Sequence, residues 1–387
     1  MRFQLLDIIP YRADPATGHQ VSPADRLDQV IETARRAERL GFDAFSVGER
    51  HAGAFLSSSP TAVLAAIAAV TTRIRLHTGV TVLSVLDPVR VAEDFATIDQ
   101  LSRGRLELTI GKGNEVAQFP LFGLEIDDQW ELLAEKYELL RLLWREEHVD
   151  WPGGEFTRVL RDTTTVPRPY AGPPRVWHGS ATTLFSAAVA ARHGDPVFSA
   201  NAIQPLQNYG VLIDHYRSEY ARHGHDPRFA FVGAGSGAGG VFIADTERQA
   251  IDEYGPTYEG LVAATNVPGN NTIYRDIRHA IADGPMLVGT AEQVAEKIAR
   301  FHARLGHDLQ SISLPTTVPF ERQLEILERF ATDVIPLLRR EFPTTLWGEG
   351  DPHADRAEAW GGAPDALVAS GTEAGSGATA VPVAVST

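Results

Sequence analysis

The sequence predicts a (β/α)8 barrel with insertions after its strands and a C-terminal tail. Strand-like runs alternate with longer helical patterns eight times over about 340 residues, and no break in composition divides that stretch in two. Charged and glycine-bearing groups recur at the C-terminal ends of the strand-like runs, where such a barrel carries its chemistry.

RFQLLDI (2–8) reads as the first strand, and Ser22-Pro23 then opens a helix that Gly41 closes. FDAFSV (42–47) is the second strand. Ser59-Pro60 repeats the cap-and-proline signal before an alanine-rich helix. RIRLHTGVTVL (73–83) is the third strand, and Asp87-Pro88 starts a helix that stops near Gly104. RLELTIG (105–111) is the fourth, followed by an amphipathic helix over 128–146.

Residues 150–174, rich in proline and glycine, read as a loop with a small hairpin. RVWHGS (175–180) is the fifth strand, running into a helix from Thr182. DPVFSA (195–200) is the sixth, and a helix spans 204–223. The seventh lies within 229–244, with a helix starting at Asp245-Thr246. The irregular stretch 266–287, with Tyr274, Arg275 and Arg278, reads as a lid over the site, the alternative being a solvated excursion. Thr290 and Gln293 form a capping box, LQSISL (309–314) is the eighth strand, and a last helix ends near Arg340. The barrel domain is placed at 1–342. Residues 343–387, rich in small residues and without helical period, read as a disordered tail whose removal leaves the fold intact; Trp347 and Trp360 are the residues able to dock it.

Net charge is −15, from 35 basic and 50 acidic residues, which argues against nucleic acid or an anionic membrane as partner. With no cysteine there is no disulfide, thiolate metal site or thiol nucleophile. MRFQLLDIIPYR does not read as a signal peptide, and the longest apolar run, 62–70, cannot span a bilayer, so a cytoplasmic protein is expected. Only Lys112, Lys136 and Lys297 are lysines.

The strand ends collect Asp7, Glu49-Arg50-His51, Thr78-Gly79, Lys112, His178-Gly179-Ser180 and Asn201. GSGAGG (235–240) matches G-x-G-x-x-G in form only, since another strand-like run follows it where a helix should, so tight nicotinamide binding has no support. GKGNE (111–115) sets an ammonium on backbone that a ligand can approach closely. HGSATT (178–183) adds a hydroxyl and backbone N–H groups at a helix start, and the two stretches together read as a phosphate clamp. No ligand-spaced histidine pair appears, so no metal is expected, and no G-x-S-x-G elbow is present.

Five stretches together resemble the bacterial luciferase-like flavin-dependent monooxygenases: GFDAFSVGERH, TGVTVLSVLDPVRVAEDFATIDQLSRGRLELTIGKG, FPLFGLEIDDQWELLAEKYELLRLLW, GSATTLFSAAVAARHG and LVGTAEQVAEKI. The resemblance implies FMN, used as FMNH2, or in one branch the deazaflavin F420. It implies Lys112 near the flavin phosphate, with Gly179, Ser180 and Thr183 as the phosphate turn. Thr78, Gly79 and Val80 would pack under the flavin ring, with a non-proline cis peptide expected at Gly79-Val80. Glu49-Arg50-His51 resembles the family's Glu-His-His; arginine at the second position speaks against bioluminescence and leaves proton transfer to His51 or His178.

Glu49 is then expected to pair with a nearby arginine, and Arg50 to stabilise negative charge. The implied activity is a two-component monooxygenase. A separate flavin reductase would supply FMNH2, and one atom of O2 would pass through a flavin C4a-hydroperoxide to a small organic substrate. The alternatives are F420-dependent hydride transfer on the same barrel and a non-catalytic flavin-binding protein. A homodimer packed over the helices at 61–70 and from Pro88 is expected.

Overall fold

The computed structural model describes residues 1–13, 18, 20–181, 183–200, 204–235, 240–265, 273–274 and 276–356. Eight parallel strands close a ring: β1 (Arg2–Asp7), β2 (Ala44–Val47), β3 (Arg75–Thr78), β4 (Leu106–Gly111), β5 (Arg175–Ser180), β6 (Val197–Ser199), β7 (Val232–Ala234) and β8 (Leu309–Ile312). Each strand pairs with the next in the chain, and β8 returns to β1 through Arg2–Leu309 to Leu5–Ile312. The predicted (β/α)8 barrel is therefore the fold.

The local signals that start helices act as expected. Ser22 accepts from the Asp25 N–H at the start of α1 (Pro23–Arg39), and Asp87 accepts from Val89 and Arg90 ahead of α3 (Pro88–Ser102). Ser59 precedes α2 (Pro60–Val70) without a side-chain cap bond, so proline alone marks that start. α4 (Gln129–Arg145), α5 (Leu184–His193) and α6 (Leu206–Arg222) follow β4, β5 and β6. α7 (Glu247–Thr265) and the short α8 (Ile277–Ala282) precede α9 (Ala291–Leu305), whose Thr290–Gln293 capping box is formed. After β8, α10 (Phe320–Arg329) runs through a π turn into α11 (Ile335–Glu341).

Two local readings change. Val241–Ile243 lies outside the ring and pairs with Leu287–Gly289 in a separate parallel two-stranded sheet, so β7 is confined to Val232–Ala234. The loop after α4 carries the predicted hairpin, Val149–Trp151 against Leu160–Thr163.

The larger correction concerns the boundary after residue 342. Residues 343–356 close the N-terminal end of the barrel. Leu346 is fully buried with Trp177, Phe231 and Leu309, and the Trp347 indole N–H donates to Glu107 Oε1 at 2.6 Å. Asp351 pairs with buried Arg175, and Arg356 Nη2 meets Asp99 at 2.6 Å. The small-residue composition that suggested disorder begins beyond this strap; 357–387, Trp360 included, lies outside the described residues.

Inside that end, Glu107 is buried among Arg75, Arg175 and His77 and takes the Trp177 indole N–H at 2.7 Å. Burial opposes its charge, yet Arg175, His77 and Arg75 hold the carboxyl down to about 2. Burial lowers His77 and His353 to about 4 and His307 to about 3.

These histidines make the fold acid-labile. Above the ordinary value of 6.5 they are neutral whether the chain is folded or not. Below 6.5 the unfolded chain takes protons first, so stability falls until the folded values near 4 are reached, by ~3 kcal/mol per buried histidine. Glu107 adds a second loss between its ordinary 4.5 and about 2. The melting temperature is expected to drop steeply from pH 6.5 to 4; a melting temperature unchanged between pH 7 and pH 5 would contradict this burial.

Candidate active site

At the C-terminal end of β2 the chain must pass close to its neighbours. A Cβ on Gly48 would lie 2.6 Å from Ile8 Cγ2 and 3.1 Å from the Gly79 carbonyl oxygen. Glu49 follows, 4% exposed, and its carboxylate bridges two elements. One oxygen faces His51 Nε2 at 2.7 Å and the other accepts the Val82 N–H at 2.9 Å. A carboxylate only accepts, so Nε2 carries the proton and Nδ1 is the nitrogen left for exchange. The expected arginine partner of Glu49 is thus replaced by His51, the residue two positions on.

The His51 ring stands edge-on to Phe122, with centroids 4.8 Å apart. Arg50 turns toward the loop after β4, donating to Asn114 Oδ1 at 2.6 Å and Glu115 Oε2 at 3.4 Å, with its guanidinium 5.5 Å from the Phe55 ring centroid. The triplet therefore ties together β2, the loop after β3 and the loop after β4.

Beside it lies a floor made of glycines. Gly79-Val80 is cis, as expected. A Cβ on Gly79 would sit 2.7 Å from Ser46 Oγ, one on Gly111 2.8 Å from Val80 Cγ2, and one on Gly179 2.9 Å from Val80 Cγ1. Val80 thus lies over bare backbone of β4 and β5, and a side chain at Gly111 or Gly179 would fill the space it needs, while one at Gly79 would strike Ser46 and Leu6. Thr78 is fully buried in the wall beneath, donating to the Thr109 carbonyl at 3.2 Å and accepting from Thr81 Oγ1 at 2.9 Å.

Lys112 leaves the end of β4 half-buried. Its ammonium donates to the Gly113 carbonyl at 3.1 Å and to Gln129 Oε1, and lies 5.2 Å from the Trp130 ring centroid. It has no carboxylate partner among the described residues, and burial alone lowers its pKa. Lys136 and Lys297 also bind only carbonyls, but they are nearly sealed inside the fold, on Ser84 and on Ala280 and Ile281. Lys112 is the lysine whose charge is left at the mouth.

On β5, Ser180 Oγ donates to the Thr183 carbonyl at 3.1 Å, which folds the turn between Gly179 and α5. His178 is a correction. Arg175 and Trp177 both reach Glu107 inside the barrel, so His178, next on the strand, projects outward. It packs 4.8 Å from the Tyr137 ring of α4, with Nε2 3.2 Å from Asp195 Oδ2. It does not share the mouth with His51. Asp7 is likewise structural, paired with Arg26 at 2.6 Å.

Sequence reasoning missed Phe122, Gln129 and Trp130, which surround His51 and Lys112. The signal available was the aromatic and amide content of FPLFGLEIDDQW beside the GKGNE strand end. Asn201, Thr182, the glycine run at 236–239 and the lid residues 266–272 and 275 lie outside the described residues. Of the lid stretch, Tyr274 is buried, and its carbonyl accepts from Tyr258 at 2.6 Å.

A carboxylate–imidazole dyad and a lysine with no acidic partner among the described residues, set at the strand C-termini of a closed parallel barrel, define an enzyme site of the α/β-barrel class. Residues 1–308 match the family model described as luciferase-like monooxygenase, and the chain belongs to that family. It is 27% identical over 375 residues to the flavin-dependent trigonelline monooxygenase, oxygenase component, of Acinetobacter baylyi, covering 87% of this chain and 95% of that one. It is 25% identical over 337 residues to the FMNH(2)-dependent dimethylsulfone monooxygenase of Pseudomonas putida, covering 81% and 88%. Another curated relative, with no assigned activity, is matched over about half its length, 55%. Among solved structures, monooxygenase RslO1 from Streptomyces bottropensis superposes with a TM-score of 0.77 at 26% identity, over 87% of this chain and 99% of that one. The protein is an oxidoreductase, a monooxygenase of this family.

Proposed function

We propose that the protein is the oxygenase of a two-component system, taking FMNH2 from a separate reductase and placing one atom of O2 into a small organic substrate. The observation that carries this reading is Lys112: a cation at the mouth, held only by neutral acceptors, is suited to a phosphate. Gly111 and Gly179 support it, since their bare backbone seats Val80, on whose side chain a flat ring system would rest. The trigonelline relative is the oxygenase component of a flavin-dependent system and the dimethylsulfone relative is FMNH(2)-dependent, which supports this reading.

The flavin, when bound, supplies the electrons and activates O2. The chain's own groups do the rest. Lys112 and the Gly179–Ser180 turn hold the phosphate. Val80, over its glycines, supports the ring. His51, with Nε2 fixed by Glu49, exchanges a proton at Nδ1, and Arg50 steadies negative charge at the rim.

The experiment is flavin titration by fluorescence quenching. FMN should bind clearly tighter than riboflavin, and Lys112→Ala should weaken FMN by roughly 1–3 kcal/mol, the scale of a charge-assisted hydrogen bond. Equal affinity for FMN and riboflavin in the unsubstituted protein would remove the phosphate site, and tight binding of reduced F420 in its place would move the reading to hydride transfer.

A further inference from the structure

Behind β5, outside the barrel interior, a buried polar cluster has no part in the chemistry just described. Its centre is Asp195, immediately after Gly194 at the C-terminus of α5. One carboxylate oxygen, Oδ2, receives the Tyr137 hydroxyl of α4 in a short hydrogen bond and His178 Nε2 of β5 at 3.2 Å. The Asp195 carbonyl accepts from Tyr216 of α6 at 2.9 Å, and the Gly194 carbonyl from Tyr220 at 3.3 Å. Tyr137 and Tyr216 are fully buried.

The two residues that share Oδ2 belong to the two halves of the proposed phosphate clamp. His178 directly precedes Gly179 and Ser180 on β5. Tyr137 lies on α4, about two turns beyond Gln129 and Trp130, the residues that hold Lys112. Trp130 packs edge-on to Phe185 at the start of α5, and Glu138 of α4 pairs with His193 near the end of α5, but Asp195 is the group that takes a hydrogen bond from α4 and one from β5 itself. The β5 turn is otherwise held from its own side, by Ala200 N–H on the Ser180 carbonyl at 2.9 Å and Ser186 Oγ on the Gly179 carbonyl at 3.3 Å.

We infer that Asp195 is a positioning residue: it sets the spacing between Lys112 and the Gly179–Ser180 turn, and through that spacing the affinity for the phosphate of FMN. The inference rests on the FMN reading above. Asp195 and Tyr137 lie behind β5, on the side of the wall away from the mouth. A partly buried carboxylate that takes two buried donors at one oxygen fixes both in direction, and a helix anchored at Tyr137 carries its first turn with it.

The test is the ratio of dissociation constants for riboflavin and FMN, measured by fluorescence quenching in the full chain. Asp195→Asn keeps the shape but weakens both hydrogen bonds, and Tyr137→Phe removes one hydroxyl and so serves if the first variant folds poorly. Either is expected to weaken FMN about tenfold, the factor of one lost charge-assisted bond, while riboflavin stays within about twofold. A purely structural role would instead lower the melting temperature and weaken both ligands together. Equal weakening of the two, or unchanged FMN affinity in both variants, would overturn this inference and leave the FMN reading standing. A wild-type protein with no preference for FMN would overturn both.

Discussion

A chain ended after Phe342 is expected to lose its cooperative fold, whereas one ended after Arg356 keeps it. The shorter chain strips Asp351 from Arg175 and Arg356 from Asp99, two buried pairs, and removes the Trp347 donor from Glu107. Breaking one buried pair by deleting a partner costs about 3–5 kcal/mol, and losing Leu346, which uncovers Trp177, Phe231 and Leu309, adds about 2. Water entering the opened barrel end offsets part of this, leaving a loss on the order of 5 kcal/mol or more, comparable with the whole stability of many domains. The measurement is thermal melting followed by circular dichroism on both chains. Equal melting temperatures would show that the strap packs without contributing.

Replacing His51 with Asn is expected to lower turnover by about 10²–10⁴-fold, the usual contribution of a placed acid or base, with FMN affinity largely kept. The geometry explains why this residue is singled out. Glu49 is 4% exposed and already committed at both oxygens, so it orients rather than exchanges. A guanidinium is not a useful proton exchanger near neutrality. Among the described residues, His51 alone in the triplet has a basic nitrogen, Nδ1, without a protein partner, and its ring stands edge-on to Phe122. Asn at this position can still meet Glu49 but cannot exchange a proton near neutrality. The rate of product formation at saturating FMNH2 is the readout; normal turnover would reduce the triplet to a structural brace between β2 and the two loops it touches.

Much of this was legible before any coordinates. The eight strands, the proline-marked helix starts and the Thr290–Gln293 box follow from signals within a few residues of one another, as at Ser22, Asp87 and Thr290. The clustering of Glu49–His51, Lys112 and Gly179 at one end followed from barrel geometry once the strands were placed. The side of the wall that His178 faces was not legible, because a strand's in–out phase is set by what its neighbours bury. Here Glu107, fixed between Arg75 and Arg175, draws Trp177 inward and so turns His178 out.

The sequence by itself determined the order of elements and the residues available at the mouth, since both depend on local propensity and period. Only the tertiary structure decided which of those residues meet and where the domain ends. The Trp347–Glu107 bond joins residues 240 apart in the chain, and Arg356 reaches Asp99 across 257. No local pattern announces such contacts: a short apolar and charged stretch in small-residue company is ordered only because a buried, charged barrel floor lacks partners without it.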